Sequence, residues 1–257
     1  MSEKYILYNP CAGGPETEKA VKALQDANEG AVAINICRII SYKTFFNGLD
    51  PNDTVILCGG DGTLNETISG LMQLEQRPPL GYLPNGSTND FAASLKIPSD
   101  PAKAAEAIVC GQIRQLDIGC FGKRVFVYVA SFGAFTRTSY AASQDMKNTL
   151  GHFGYLVEGI RDLNTLRPYS VRITADGETL DGDYLFGAVA NSTSIAGMMK
   201  LDGEEVVLDD GRFELLLLRM PKSALDLQNL ITAMTRMQYD YPGVIFRHVQ
   251  HVTLTTQ

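Results

Sequence analysis

Residues 57–66 read LCGGDGTLNE, and the chemistry such a stretch can do is the handling of phosphate. Gly59, Gly60 and Gly62 sit where a Cβ would clash or forbid the required dihedrals, so backbone N–H groups can approach an anion closely. Asp61 between them supplies a carboxylate for direct or water-mediated contact with Mg²⁺. A tight turn whose Asp caps the next helix would use the same residues. The apolar run Thr54-Val55-Ile56-Leu57 before the turn and LNE after it favour the phosphate reading.

Two further segments share the design. LPNGSTNDFA at 83–92 places Asn85, Ser87, Thr88, Asn89 and Asp90 on one turn. A helix cap needs one such residue, so five within six positions point to a ligand, with Ser87 or Thr88 also available as the cap. Asp90 is expected near Asp61, where two carboxylates share a metal or organise an incoming hydroxyl. YNPCAGG at 8–14 is a weaker glycine turn. Neither a G-x-x-x-x-G-K-[ST] loop nor the protein-kinase motif set is present.

These turns need strands and helices to hold them. The first 118 residues alternate the two: strands at 5–9, 31–36, 54–58 and 79–84, and helices at 15–28, after Thr63, after Ser87 and at 100–111. That order implies an α/β fold with a mostly parallel sheet, and all three turns fall at strand carboxyl ends, where such sheets bind ligands. Beyond about residue 118, RVFVYVAS, YSVRITAD, GDYLFGAVAN and GRFELLLLR read as antiparallel strands with hairpin connections such as ADGETLDGD. Helices are expected at 148–166 and 221–238. The expected architecture is an α/β domain over 1–120 and a β-rich, sandwich-like domain with helical insertions over 121–257, with the active site in the cleft between them.

Composition excludes several classes. The net charge of −7 gives no support to nucleic-acid binding. Five scattered cysteines without a C-x-x-C pair argue against a disulfide framework or structural zinc. His248 and His251 are three apart in an expected strand and would face opposite ways. No apolar stretch approaches the roughly 18 residues of a membrane span, and MSEKYILYNP lacks a secretory leader. A cytoplasmic chain that meets the membrane transiently, and that can form a homodimer, is the expectation.

YNPCAGG, GGDGTLNE and GSTNDFA, with LDIG at 116–119, ASFGAFTRTSYAASQDMKNTLGHFGYLVEGI and LDDGRFELLLL at 208–218, resemble the bacterial diacylglycerol kinase-like lipid kinases, whose superfamily includes sphingosine and ceramide kinases. The resemblance covers nearly the whole chain. It implies ATP and Mg²⁺ as cofactors and a membrane lipid as acceptor, diacylglycerol leading. By position, Asn9, Pro10, Cys11, Ala12 and Gly13 would line the ATP site together with Gly59, Gly60, Asp61, Gly62, Thr63, Leu64, Asn65 and Glu66. Ser87 or Thr88 would lie near the phosphates, with Ser41 a weaker contact. Asp61, Asp90 and Asp117 would form the catalytic acidic network around Mg²⁺, and Asp210 with the carbonyls of Val207 and Arg212 a second, structural Mg²⁺ site. An Asp-Gly turn is the simpler use of Asp210. Phe126, Phe132, Phe135, Phe153, Tyr155 and Leu156 would offer an apolar wall for the lipid, or plain core. The family's final L-D-G-E stretch, held to activate the lipid hydroxyl, is not found before the sequence ends at HVQHVTLTTQ. Two alternatives therefore stand beside the lipid kinase: a nucleotide or lipid binder lacking the base, and a soluble-substrate kinase resembling NAD kinases.

Overall fold

The computed structural model describes residues 3–12, 14, 16–50, 52–134, 166–195 and 199–256. They form two compact units: residues up to Gln115 with Cys120–Val127, and Leu116–Gly119 with everything from Tyr128 onward.

The first unit is built on a four-stranded parallel sheet in the order β2 (Val32–Asn35), β1 (Lys4–Tyr8), β3 (Thr54–Gly59), β4 (Leu80–Pro84). Val55 to Cys58 are all fully buried, as a parallel strand covered on both faces requires. On one face Ile6, Ile56, Cys58 and Leu83 pack with Ala20 and Leu24 of α1 (Glu16–Ala27) and with Ala104 and Ala105 of α5 (Pro101–Cys110). Burial pushes the Cys58 thiol up to about 12, so it is packing and not a nucleophile. Helix α5 starts as its sequence directs: Asp100 accepts the Lys103 N–H at 3.0 Å and Pro101 occupies the first turn. A short α2 (Tyr42–Asn47) packs against α3 (Asp61–Leu71); the sequence reading did not include it. Its first turn is capped by Ser41, whose Oγ accepts the Thr44 N–H at 3.3 Å.

RVFVYVAS is not one strand. Arg124–Phe126 (β6) pairs with Gly119–Phe121 (β5) in a small hairpin of the first unit, while Val129–Gly133 (β7) joins the second. Phe126 and Phe132, expected on one wall, therefore lie in different units. Phe132 packs against the core of the second unit and edge-on to Tyr169. Phe135, Phe153, Tyr155, Leu156 and the helix expected at 148–166 fall outside the described residues.

The second unit is a strongly bent antiparallel sheet. The thirteen-residue β9 (Glu178–Ala190) pairs through its first half with β8 (Tyr169–Ala175) and through its second with β7 and β12 (Phe213–Arg219). β13 (Val244–Val249) and β14 (Val252–Thr256) lie at opposite ends of the strand order, yet only two residues separate them in sequence. The sheet must curl to bring those ends together. Asp176 pins the closure, its carboxylate accepting the Gln250 and His251 N–H groups at 2.9 and 2.8 Å. The β8–β9 turn is Asp176-Gly177, both at positive φ, the geometry of a two-residue hairpin turn. Inside the curl Val171, Ile173 and Tyr184 meet Leu215, Leu217, Ile245 and Val249. Two small strands, β10 (Ser194–Ile195) and β11 (Met199–Lys200), and helix α6 (Ala224–Thr235) complete the unit. His248 lies in β13, whereas His251 is in the link to β14. No helix among the described residues is long and apolar enough to cross a membrane.

Candidate functional site

The carboxyl ends of β1, β3 and β4 bring the three motif turns together. Asn9 ties the first to the second: its backbone N–H donates to Cys58 O at 3.2 Å and its Nδ2 to Thr63 Oγ1 at 3.1 Å. The Asn9 Oδ1 accepts the Cys11 N–H at 2.9 Å, closing the tight turn that Pro10 and Cys11 make. Asn85, buried, ties the third turn to both others. Its backbone N–H donates to Gly59 O at 2.9 Å and its Nδ2 to Ala12 O at 3.3 Å and Thr17 Oγ1 at 2.8 Å. Thr17 is also buried and donates in turn to Ala12 O. No signal in the sequence marks Thr17, which reads as an ordinary residue of an amphipathic helix.

Of the five polar residues at 85–90, two serve the backbone. Asn85 is the tether just described, and Asn89 folds the loop on itself, accepting the Gly86 N–H and donating to Gly86 O, both at 2.8 Å. Ser87 and Thr88 are exposed, and neither caps α4 (Asp90–Ser94). The residue before that helix is Asn89 at φ 55°, with no capping bond of its own. The cap comes from elsewhere in the chain: Asp61 Oδ2 accepts the Asp90 N–H at 3.0 Å and Oδ1 the Phe91 N–H at 3.2 Å.

Asp61 and Asp90 thus meet, as the sequence predicts, through the carboxylate of one and the backbone of the other. Burial raises the Asp61 carboxyl above the usual range, and the N–H groups of Phe91, Asp90 and Asn89 pull it back. Asp90 is 3% exposed. Helix α3 begins at Asp61 itself, with Gly60 as its cap, three residues before the expected start. None of Gly59, Gly60 and Gly62 has positive φ, so forbidden dihedrals are not the reason for glycine here. Steric closeness is the reason at Gly60, where a Cβ would stand 2.9 Å from the Gly86 Cα. At Gly62 nothing lies within 4 Å of where a Cβ would be, which leaves open space over the start of α3. Leu64 is core, Glu66 is exposed, and Asn65 accepts the Val127 N–H at 3.1 Å. Gly13 falls outside the described residues.

Asp117 belongs to the second unit. Its carboxylate accepts the Gly211 N–H at 2.6 Å, and its own N–H donates to Leu208 O at 2.9 Å. It is therefore joined to the 207–212 loop, for which the resemblance implies a separate cation. Within that loop Asp210 Oδ1 accepts the Arg212 N–H at 2.9 Å around Gly211 at φ 74°, an Asp-Gly turn. Asn191, unmarked by any motif, braces the loop by donating to Asp117 O at 3.0 Å and Leu208 O at 3.2 Å.

Asp61, a hard-oxygen carboxylate at the start of α3 beside the open backbone of Gly62, suits Mg²⁺ that takes its other ligands from phosphates and water. Among the described residues no group of three or more His, Cys, Asp or Glu side chains encloses a metal. The donor chemistry at Asp61 thus fits a nucleotide-borne cation and not a protein-only cage.

Just past the 207–212 loop, Glu214 is 1% exposed, and its Oε2 has no hydrogen-bond partner. Burial, with the Asp210 charge adding, pushes its carboxyl up to about 8. The folded chain therefore holds this proton over the range from about 4.5 to about 8 in which the unfolded chain releases it. Stability must fall as pH rises through that window. In chelator-containing buffer, Glu214→Gln should remove the fall and leave the variant more stable than the parent at pH ~8.5, by on the order of 3 kcal/mol. Thermal melts of both chains across the window check this.

The comparisons with known proteins agree with one another. The family model for the diacylglycerol kinase catalytic domain matches residues 3–121. A diacylglycerol kinase of Bacillus subtilis is 39% identical over 226 residues, covering 85% of this chain and 74% of the relative. One from Staphylococcus carnosus is 33% identical over 205 residues, covering 79% of this chain and 66% of the relative. The crystal structure of a diacylglycerol kinase from Bacillus anthracis superposes with a TM-score of 0.76, at 20% identity, over 100% of this chain and 86% of that one, a likeness of fold. A parallel α/β unit with glycine turns at its strand ends, followed by a curled antiparallel unit, is in this light a lipid kinase. The chain belongs to the diacylglycerol kinase family.

Proposed function

We propose that the chain transfers the γ-phosphoryl group of ATP to the free primary hydroxyl of diacylglycerol, with Mg²⁺ bound. The observation that carries this reading is the junction of Asp61 with the α4 start at the meeting of three glycine turns, in a chain 39% identical to the Bacillus subtilis enzyme. The lipid oxygen forms a bond to the γ-phosphorus as the bond from that phosphorus to the β–γ bridging oxygen breaks. The hydroxyl proton passes to solvent or a nearby carboxylate, and ADP and phosphatidic acid result. Asn9 to Ala12 and Gly59 to Asn65 surround the phosphates, with the open backbone at Gly62 facing them and Ser87 or Thr88 at their rim. Asp61 and Asp90 would hold Mg²⁺, which would neutralise charge on the phosphates. Asp117 and Asp210, with the carbonyls of Val207 and Arg212, hold the second-unit loop in shape, with or without a cation of its own. Nucleotide binding is assigned to the first unit and the lipid to the second.

The test is label transfer from γ-labelled Mg-ATP in mixed micelles containing diacylglycerol, ceramide or sphingosine, alongside NAD in solution. Label in phosphatidic acid is the expected result. Label in NAD alone, or ATP binding without transfer to any acceptor, overturns the proposal in favour of a soluble-substrate kinase or a binder.

A further inference from the structure

The β5–β6 hairpin has no part in the site described above, and its composition is unusual for this acidic chain. Gly122, at φ 60°, and Lys123 make its two-residue turn. Phe121 is 70% exposed on one side of that turn, and Arg124 is exposed on the other. Among the described residues neither Lys123 nor Arg124 is in an ion pair. Both line a groove of about 360 Å³ against α3, with Asn65, Ser69, Met72 and Gln73, and among the described residues no carboxylate lines it. One hydrogen bond ties the hairpin to α3, Asn65 Oδ1 accepting the Val127 N–H where the hairpin ends.

We propose that this hairpin docks the first unit on an anionic bilayer, with Phe121 entering the interface and Lys123 and Arg124 meeting lipid phosphates. The proposal rests on the lipid-kinase reading, since that reading brings the protein to a bilayer at all. Its own argument is charge complementarity. A chain of net charge −7 is repelled by an anionic leaflet as a whole, so attraction must come from a local cluster of unpaired cations. An aromatic ring beside such cations suits the interface, where the ring sits at headgroup depth and the charges stay in water. Just past α3, the amide of Gln73 extends the cationic end of the groove with a neutral group able to hydrogen-bond headgroup oxygens.

The experiment is co-sedimentation of the full chain, without ATP, with phosphatidylcholine vesicles that contain or lack phosphatidylglycerol. Binding to the anionic vesicles alone, weakened by salt, is expected. Lys123→Gln with Arg124→Gln should lower the partition coefficient about 30-fold, and Phe121→Ser about tenfold. All three side chains are exposed, so the melting temperature of each variant should stay with the parent. Parent-like binding by the cation variant, or equal binding of the parent to neutral vesicles, would overturn the proposal. The two readings fail separately. If no acceptor is labelled but vesicle binding depends on the hairpin, docking stands and the kinase reading falls. If diacylglycerol is labelled and vesicle binding ignores the hairpin, the reverse holds.

Discussion

Asp61→Asn should lower the turnover of diacylglycerol phosphorylation by about 10²- to 10⁴-fold while leaving the fold in place. The substitution is nearly isosteric, and it removes the charge while keeping one carbonyl oxygen. In the structure both carboxylate oxygens accept N–H groups, from Asp90 and Phe91, so Asn preserves one cap of two. The loss of the other costs about 1 kcal/mol, a cost that relief of burying a charge partly offsets. A purely structural Asp61 therefore predicts a small drop in melting temperature and little change in turnover. A cation-holding Asp61 predicts the large turnover loss with the same small drop. Label transfer and thermal melts on the two chains separate these cases, and turnover within tenfold of the parent would reduce Asp61 to a cap.

The hydrogen bonds among the turns explain which parts of the site were legible. Motif spacing showed that the turns at 9–14, 59–63 and 85–90 lie at strand ends, because strand-turn-helix grammar is local and a parallel sheet places those ends on one edge. It also paired Asp61 with Asp90. It did not show how the turns hold one another. Asn85, Asn9 and Thr17 form that lattice through bonds spanning up to 73 residues, and nothing in a linear pattern separates a tethering asparagine from a ligand-facing one. The same limit misread the cap of α4. Ser87 and Thr88 have the right type and place, yet the cap is supplied by Asp61, 29 residues away.

The second unit shows a different limit. Its strands were legible as apolar runs with hairpin connections, and the Asp-Gly turns at 176–177 and 210–211 appear where turn chemistry places them. The curl was not legible, because it depends on β9 serving two sets of partners along its length. RVFVYVAS was read as one strand for a related reason. Its apolar run is continuous, while the break between Phe126 and Val129 reflects a change of partner sheet. Asp117 illustrates the consequence. The resemblance groups it with Asp61, and motif spacing carries no sign of its hydrogen bond to Gly211 in the 207–212 loop.

Gly86→Ala should damage the first unit at the point where its turns meet. A Cβ there would stand 2.5 Å from the Gly60 Cα and 2.9 Å from Asn89 Oδ1, so the two glycine turns touch backbone to backbone. No flexible side chain can yield to the Gly60 clash. Gly86 itself is not at positive φ, and the cost is therefore steric. Relief requires the third turn to move off the second, which strains the Asn85–Gly59 bond and the Asp61 cap together. A destabilisation of roughly 2–3 kcal/mol is expected, lowering the melting temperature by about 5–10 °C. Nucleotide affinity should fall at least about tenfold, since the phosphate-facing turns no longer keep their spacing. Gly62→Ala is the control. With nothing within 4 Å of its Cβ position and a place in the first turn of α3, it should leave the free chain as stable as the parent or slightly more so. Calorimetric titration with ATP then gives the decisive comparison. If Gly62→Ala weakens ATP binding without destabilising the chain, the phosphates lie over Gly62. If it binds ATP as the parent does, the phosphates lie elsewhere.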